Sequence, residues 1–241
     1  MAEHVGSRAR RRWLVWAAGA CSLAASGARA APWSSRRTGV RLCTFGDSVL
    51  DCSHYNERGL DPGRLLVQND DTLFPEFRGK DLRSRGPASL EHRARDGAVA
   101  ADLTSQARGL RPVDGSIAIV SAGGNDLLRG LAADTGAGMR AFEATLDRFL
   151  RALPVRPVVL ATVYDPTFGD DARNFLGVPA RIARANHARV NEIVASLAAR
   201  HGSLADIHLH FLKGEPSWFT RTIEPSLVGA SEIRRVFLAA L

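Results

Sequence analysis

The chain has 241 residues, of which 45% are hydrophobic and 24% charged. These proportions exclude a disordered, collagen-like or coiled-coil protein, and the length suits one domain that buries its core without metals or staples. The formal charge of +7 is uneven: residues 1–30 hold five arginines against one acid, Glu3, leaving 27 basic and 24 acidic side chains in residues 31–241. That small surplus, with no basic run, gives little counterion-release drive, so nucleic acid is not an expected partner.

The first 30 residues read as an address. Arg8, Arg10, Arg11 and Arg12 precede an apolar stretch from Trp13 to about Ala25, and Ala28-Arg29-Ala30 is an A-x-A site before Ala31-Pro32. This is the order of a secretory signal over residues 1–30, too short to span a membrane comfortably. Arg10-Arg11-Arg12-Trp13-Leu14 also resembles a twin-arginine export motif. The expectation is an exported protein, periplasmic or extracellular, whose residues 31–241 form one domain with no stable membrane span. Cys21 follows Ala18-Gly19-Ala20, a poor lipobox, so no lipid anchor is expected. Cys43 and Cys52 remain in the mature part, and two buried free thiols are favoured there over a bridge.

In chain order, Val40 to Phe45 reads as a strand ending at Gly46, with a helix expected from about Ser48. Residues 53–88 form a polar excursion with an apolar knot at Leu73, Phe74 and Phe77. A second strand is expected from Leu90 to Ala94 and a helix from Val99 to Arg108. Ile117 to Val120 is a buried-type strand. Met139 to Leu153 has helical apolar spacing. Val158 to Val163 is a fourth strand, Ile182 to Arg200 a long helix, Asp206 to Leu209 a short fifth strand, and Gly229 to Leu241 a last helix. Continuously apolar strands alternating with helices imply a parallel sheet covered on both faces. Ligands then sit beyond the carboxyl ends of the strands.

Gly46-Asp47-Ser48 follows the first strand, so a serine hydroxyl and its own N–H face that edge. Gly97, in Arg95-Asp96-Gly97-Ala98, follows the second strand, and Gly123-Gly124-Asn125-Asp126 follows the third. Two backbone donors, one side-chain amide and a nucleophile at one edge would make an oxyanion hole for acyl transfer. Taken singly, each segment is equally an ordinary turn or helix cap.

Together these segments resemble blocks one, two and three of the SGNH/GDSL hydrolases, with order and spacing matching across residues 39 to 241. The resemblance implies a flavodoxin-like three-layer α/β/α fold with a mainly parallel five-stranded sheet. It also implies serine esterase, lipase or carbohydrate-deacetylase chemistry, with no cofactor and no metal. Carried over by position, Ser48 is the nucleophile, and Gly97 and Asn125 are oxyanion donors.

The last block departs from the family pattern. Arg221-Thr222-Ile223-Glu224-Pro225 puts Glu224 where the family has its histidine and Arg221 where it has an aspartate. Glu224 then either takes the proton from Ser48 or orients a histidine from elsewhere. His210 is the first candidate for that histidine; His54, His92 and His208 are alternatives, and His187 and His201 read as solvated. A Glu224–Arg221 ion pair that merely shapes the loop is the rival reading. Asn69-Asp70-Asp71 reads as a turn cap. Three functions fit: an exported serine hydrolase acting on an acyl ester or acetylated carbohydrate, a non-catalytic binding module for a cell-envelope glycan or lipid, and an acyltransferase. The partner in the first is a small-molecule or glycan ester.

Overall fold

Five strands form one sheet in the computed structural model, which describes residues 39–241: Val40–Phe45 (β1), Ala88–His92 (β2), Ser116–Ser121 (β3), Val158–Ala161 (β4) and Ser203–Ala205 (β5). The signal-like segment, its A-x-A site and Cys21 lie outside the described residues. The strand order is β2-β1-β3-β4-β5, and every neighbouring pair is parallel. The chain therefore leaves β1 for one side of the sheet, then crosses over to the other. That reversal opens a crevice beyond the carboxyl ends of β1 and β3, the place where such sheets bind ligands. The expected five-stranded α/β/α fold is present.

Period-two alternation sorts the strand residues between two faces. Cys43, Phe45, Ala118, Val120, Val158 and Leu160 face the long helices Ala137–Ala152 (α4) and Ala180–His201 (α5). Leu42, Ile117, Ile119, Val159 and Ala161 face Pro62–Val67 (α1) and Leu227–Ala240 (α7). Three short helices complete the set: Leu103–Gln106 (α2), Gly124–Leu128 (α3) and Ile207–Phe211 (α6). Cys43 and Cys52 are buried and free, as expected. Among the described residues, no helix is long and apolar enough to cross a membrane.

Three expectations need correction. No helix starts at Ser48: Leu50 N and Asp51 N both donate to the Asp47 carbonyl, making a single turn, and the next ordered piece is a 3₁₀ turn at Ser53–Tyr55. Asp51 turns its carboxylate across to the second strand, which draws the chain away from a helical path. The second strand begins and ends two residues earlier than expected. The fifth strand is Ser203–Ala205, and residues 207–211 are helical, because Asp206 caps them by accepting from Leu209 N at 3.0 Å. The alternation in Ile207-His208-Leu209-His210 suggested a strand; burial of Ile207 and Phe211, four apart, marks a helix face.

The excursion over residues 53–88 has a packing role. Phe74 and Phe77 sandwich the guanidinium of buried Arg234 from α7, which lies 4.8 and 3.6 Å from their ring centroids. Asp70 caps its turn by accepting from Thr72 N and Leu73 N, as expected.

Candidate active site

Gly46 ends β1 at φ +131°, and a Cβ there would sit 2.1 Å from the Ser121 carbonyl oxygen. Only glycine permits this close passage of β1 and β3. The Gln106 side chain from α2 pins the turn at both ends: Gly46 N donates to Oε1 and Nε2 donates to Gly46 O, each at 2.8 Å. Asp47 is buried, accepting from Ser121 Oγ at 2.7 Å and from Val49 N at 3.2 Å. Burial, resisted by the Ser121 bond, pushes its carboxyl up to about 6. Ser48 follows, mostly buried, with its N–H free of any acceptor among the described residues.

Gly123, at φ +116°, plays the same part after β3; a Cβ there would meet Val190 at 2.7 Å. It starts α3, whose second residue is Asn125. Asn125 Nδ2 donates to Ala98 O at 3.1 Å, which fixes the amide plane and leaves a second N–H. Ser48 and Asn125 line one pocket. Gly97 adjoins the Ala98 that Asn125 holds, and its carbonyl accepts from Arg129 at 2.8 Å. Its N–H, at φ +74°, has no acceptor among the described residues.

Glu224 reaches Ser48 from a small hairpin, Phe219–Thr220 (β6) against Glu224–Pro225 (β7). The tight connection puts Arg221 and Thr222 at φ +45° and +75°, an unfavourable state for a β-branched residue and a form of strain that clusters at functional sites. The Glu224 carboxylate lies near Ser48, whose hydroxyl favours its ionised form, although no hydrogen bond joins the two among the described residues. Its Oε2 is buried with no hydrogen-bond partner among the described residues. Burial raises the Glu224 pKa above the ordinary value. The Ser48 hydroxyl opposes this, Asp96 adds to it, and His54 and Arg221 oppose it by charge. The ion pair considered for Glu224 and Arg221 is not formed: the Arg221 guanidinium lies over the Tyr55 ring, 5.1 Å from its centroid.

His210 is not brought to Glu224. It bonds Glu232 at 2.7 Å and stacks on Trp218. The histidine whose charge Glu224 feels is His54, which meets Asp96 at 3.2 Å through Nε2. Asp96 also accepts from the Tyr55 hydroxyl at 2.5 Å. Asp51 joins this group from the other side: Oδ1 meets His92 Nε2 at 3.0 Å, and Oδ2 accepts from Asp96 N at 2.9 Å. Asp51 thus ties the loop bearing Gly97 to the turn bearing Ser48. His187 and His201 are not solvated as expected. His187 Nε2 meets Val163 O at 2.9 Å, with burial lowering its pKa, and His201 bonds Asp147 at 2.7 Å.

Sequence reading misses Gln106 and Asp96, and gives Asp51 only a part in favouring the N-terminus of the helix expected at Ser48. Gln106 has no signature within α2. Asp51 and Asp96 each lie within three residues of a flagged position, and only the fold shows that they bond. Among the described residues, no group of three or more His, Cys, Asp or Glu side chains could hold a metal ion.

A family model described as "GDSL-like Lipase/Acylhydrolase family" matches residues 44–227. No curated protein matches. Among solved structures, LAE5, an α/β hydrolase enzyme from the metagenome of Lake Arreo, is 24% identical with a TM-score of 0.58, covering 85% of this chain and 96% of that one. Axe2, an acetylxylan esterase from Geobacillus stearothermophilus, is 18% identical with a TM-score of 0.59 and the same coverage. A member of the lipolytic G-D-S-L family from Veillonella parvula is 15% identical with a TM-score of 0.59, covering 84% and 98%. At these identities the likeness concerns the fold.

Proposed function

We propose that this chain, which belongs to the GDSL-like lipase/acylhydrolase family and is a hydrolase acting on esters, is an exported serine esterase working through an acyl-enzyme on Ser48. The placement of Ser48 and Asn125 on one pocket, with the Ser48 N–H free among the described residues and Glu224 close by, carries the reading. A serine hydroxyl is a poor nucleophile until a base takes its proton, and Glu224 is the base at hand. An ordinary carboxylate is too acidic to do this well near neutral pH, and burial raises its proton affinity.

Ser48 Oγ attacks the ester carbonyl carbon as its proton passes to Glu224. The carbonyl π electrons move to oxygen, and that oxyanion is met by Ser48 N–H, Gly97 N–H and the free N–H of Asn125. Collapse breaks the bond to the leaving alcohol, which takes the proton from Glu224 and leaves acyl-Ser48. Water, deprotonated by Glu224, then frees the acid and restores Ser48. His54 and Asp96 stand near Glu224 and shift its proton affinity in opposite directions, with burial the larger cause.

Export rests on Arg10-Arg11 and Ala28-Arg29-Ala30. Secreted material should begin at Ala31, and replacing Arg10 and Arg11 by lysine should block export. The esterase reading is tested with p-nitrophenyl esters: turnover that Ser48→Ala abolishes supports it, and an undiminished rate in that variant overturns it.

A further inference from the structure

Seven large apolar side chains are exposed among the described residues. One, Val113, precedes β3, at the amino edge of the sheet. The other six all follow the carboxyl ends of strands, on the edge where Ser48 stands. Leu128 closes α3, after β3, and shares the wall of one pocket with Ser48, Asn125 and Phe175. Ile182 lies in the first turn of α5, between Ala180 and Ala183 of the same wall. Leu209 and Leu212 sit on and just after α6, which follows β5. Val228 is in the first turn of α7, shortly beyond Glu224. Exposed apolar side chains scattered singly need no explanation, but their collection around one cleft does.

Aromatic contacts join several of these segments. Phe211 of α6 stacks on Tyr164, which follows β4, at 5.1 Å between ring centroids. Phe219 of the β6–β7 hairpin meets Tyr164, Phe168 and Phe211 at 5.1, 5.6 and 5.5 Å. Cations stand beside the apolar side chains. Arg129 follows Leu128, Arg173 comes just before Phe175, Arg181 precedes Ile182, Lys213 follows Leu212, and Arg221 lies in the hairpin turn before Val228. All five are exposed, and none forms an ion pair among the described residues. The acids of this edge are engaged. Asp165 and Asp171 take Arg184, Asp170 accepts from Ala172 N, Glu215 from Ser217 Oγ, and Asp96 from Tyr55.

A cation beside an apolar side chain suits a phospholipid surface. The apolar part enters at headgroup depth, and the long basic chain reaches back to phosphate. A second copy suits it poorly, because a two-fold contact would set the same cations against one another. We propose that this rim docks, as a peripheral contact, on a bilayer containing anionic phospholipid, with the Ser48 cleft facing the lipid. Docking needs no turnover, so it is independent of the esterase reading.

Sedimentation of the mature chain with vesicles at low ionic strength tests it. Vesicles of equal parts phosphatidylglycerol and phosphatidylcholine should bind roughly tenfold or more tightly than phosphatidylcholine alone, and added salt should weaken the difference. Leu209→Asp with Leu212→Asp should lower the affinity for the mixed vesicles roughly tenfold, and so should Arg181→Glu with Lys213→Glu. Val113→Asp, at the opposite edge, should leave it unchanged. Every substituted side chain is exposed, and circular dichroism checks that each variant is folded. Failure to bind the mixed vesicles would overturn the proposal and leave the rim to a protein partner. Binding that the leucine pair does not weaken, or that Val113→Asp weakens equally, would overturn it too. Self-association lost in the leucine pair, without vesicle binding, would make the rim a contact between copies and overturn it as well.

Discussion

Glu224 holds its carboxylate near Ser48, whose hydroxyl favours its ionised form while burial disfavours it. The β6–β7 hairpin holds it there, through a turn in which Arg221 and Thr222 both take positive φ. Glu224→Gln keeps the shape and removes the base. It should lower kcat by on the order of 10²–10⁴, with far-UV circular dichroism and the unfolding midpoint close to wild type. A near wild-type kcat in that variant, alongside an inert Ser48→Ala, would remove Glu224 from the machinery.

The pH profile carries a signature of the same residue. As the proposed base, Glu224 would act only when ionised, and burial raises its pKa. kcat/KM should therefore rise with pH along an acid limb placed above the ordinary glutamate value of 4.5. Glu224→His should move that limb toward about 6.5, the usual histidine value. An unmoved limb would assign it to another group.

In the proposed mechanism Asn125 presents a donor that strengthens as charge develops on the carbonyl oxygen. Asn125→Ala should cost on the order of 10²–10³ in kcat with little change in KM, since the gain is made mainly in the transition state. A change confined to KM would make Asn125 a substrate-binding residue.

Much of this was legible in the sequence because the residues stand directly after apolar strands. Ser48 follows β1 and Asn125 follows β3, so finding the strands placed both at the crevice. Glu224 was legible only through the family resemblance, in which Pro225 and Gly229 fall where the last block has them. The helix expected at Ser48 was not, because Asp47 and Asp51 spend their hydrogen bonds on Val49, His92 and Asp96. The fifth strand misled because Ile207-His208-Leu209-His210 fits a period of two as well as a helix turn. His210 attracted attention by its nearness to the site edge, yet Glu232, on α7, holds it.

Asp51 acts through another group, as a positioning residue. It holds Asp96 N, and with it the loop that presents Gly97. Asp51→Ala should lower kcat on the order of ten- to a hundredfold with KM nearly constant. Asp51→Asn, which keeps one acceptor, should recover part of the loss. Equal losses in both variants, accompanied by a lower unfolding midpoint, would reduce Asp51 to a stabilising contact.

Asp47 ties stability to pH. Its carboxyl titrates from an ordinary 3.8 to about 6 in the fold, so between those values the native state binds the extra proton. Stability from this group is complete below about 3.8 and is lost as pH rises through about 6. Asp47→Asn removes the titration and keeps an acceptor for Ser121. Relative to wild type, the variant should gain about 2–3 kcal/mol on going from pH 4 to pH 7.5, read from urea unfolding. A constant difference between the two proteins would contradict the buried, raised carboxyl.

Phosphonylation of Ser48 followed against pH tests the pairing of Ser48 with Glu224 most directly. A fluorophosphonate is added to wild type and to Glu224→Gln, and the labelled peptide is identified by mass spectrometry. The label should fall on Ser48, with a rate in wild type that rises as Glu224 ionises and a rate in the variant that is much slower and flat across the same range. Label on another residue, or the same pH-dependent rate in both proteins, would contradict the account.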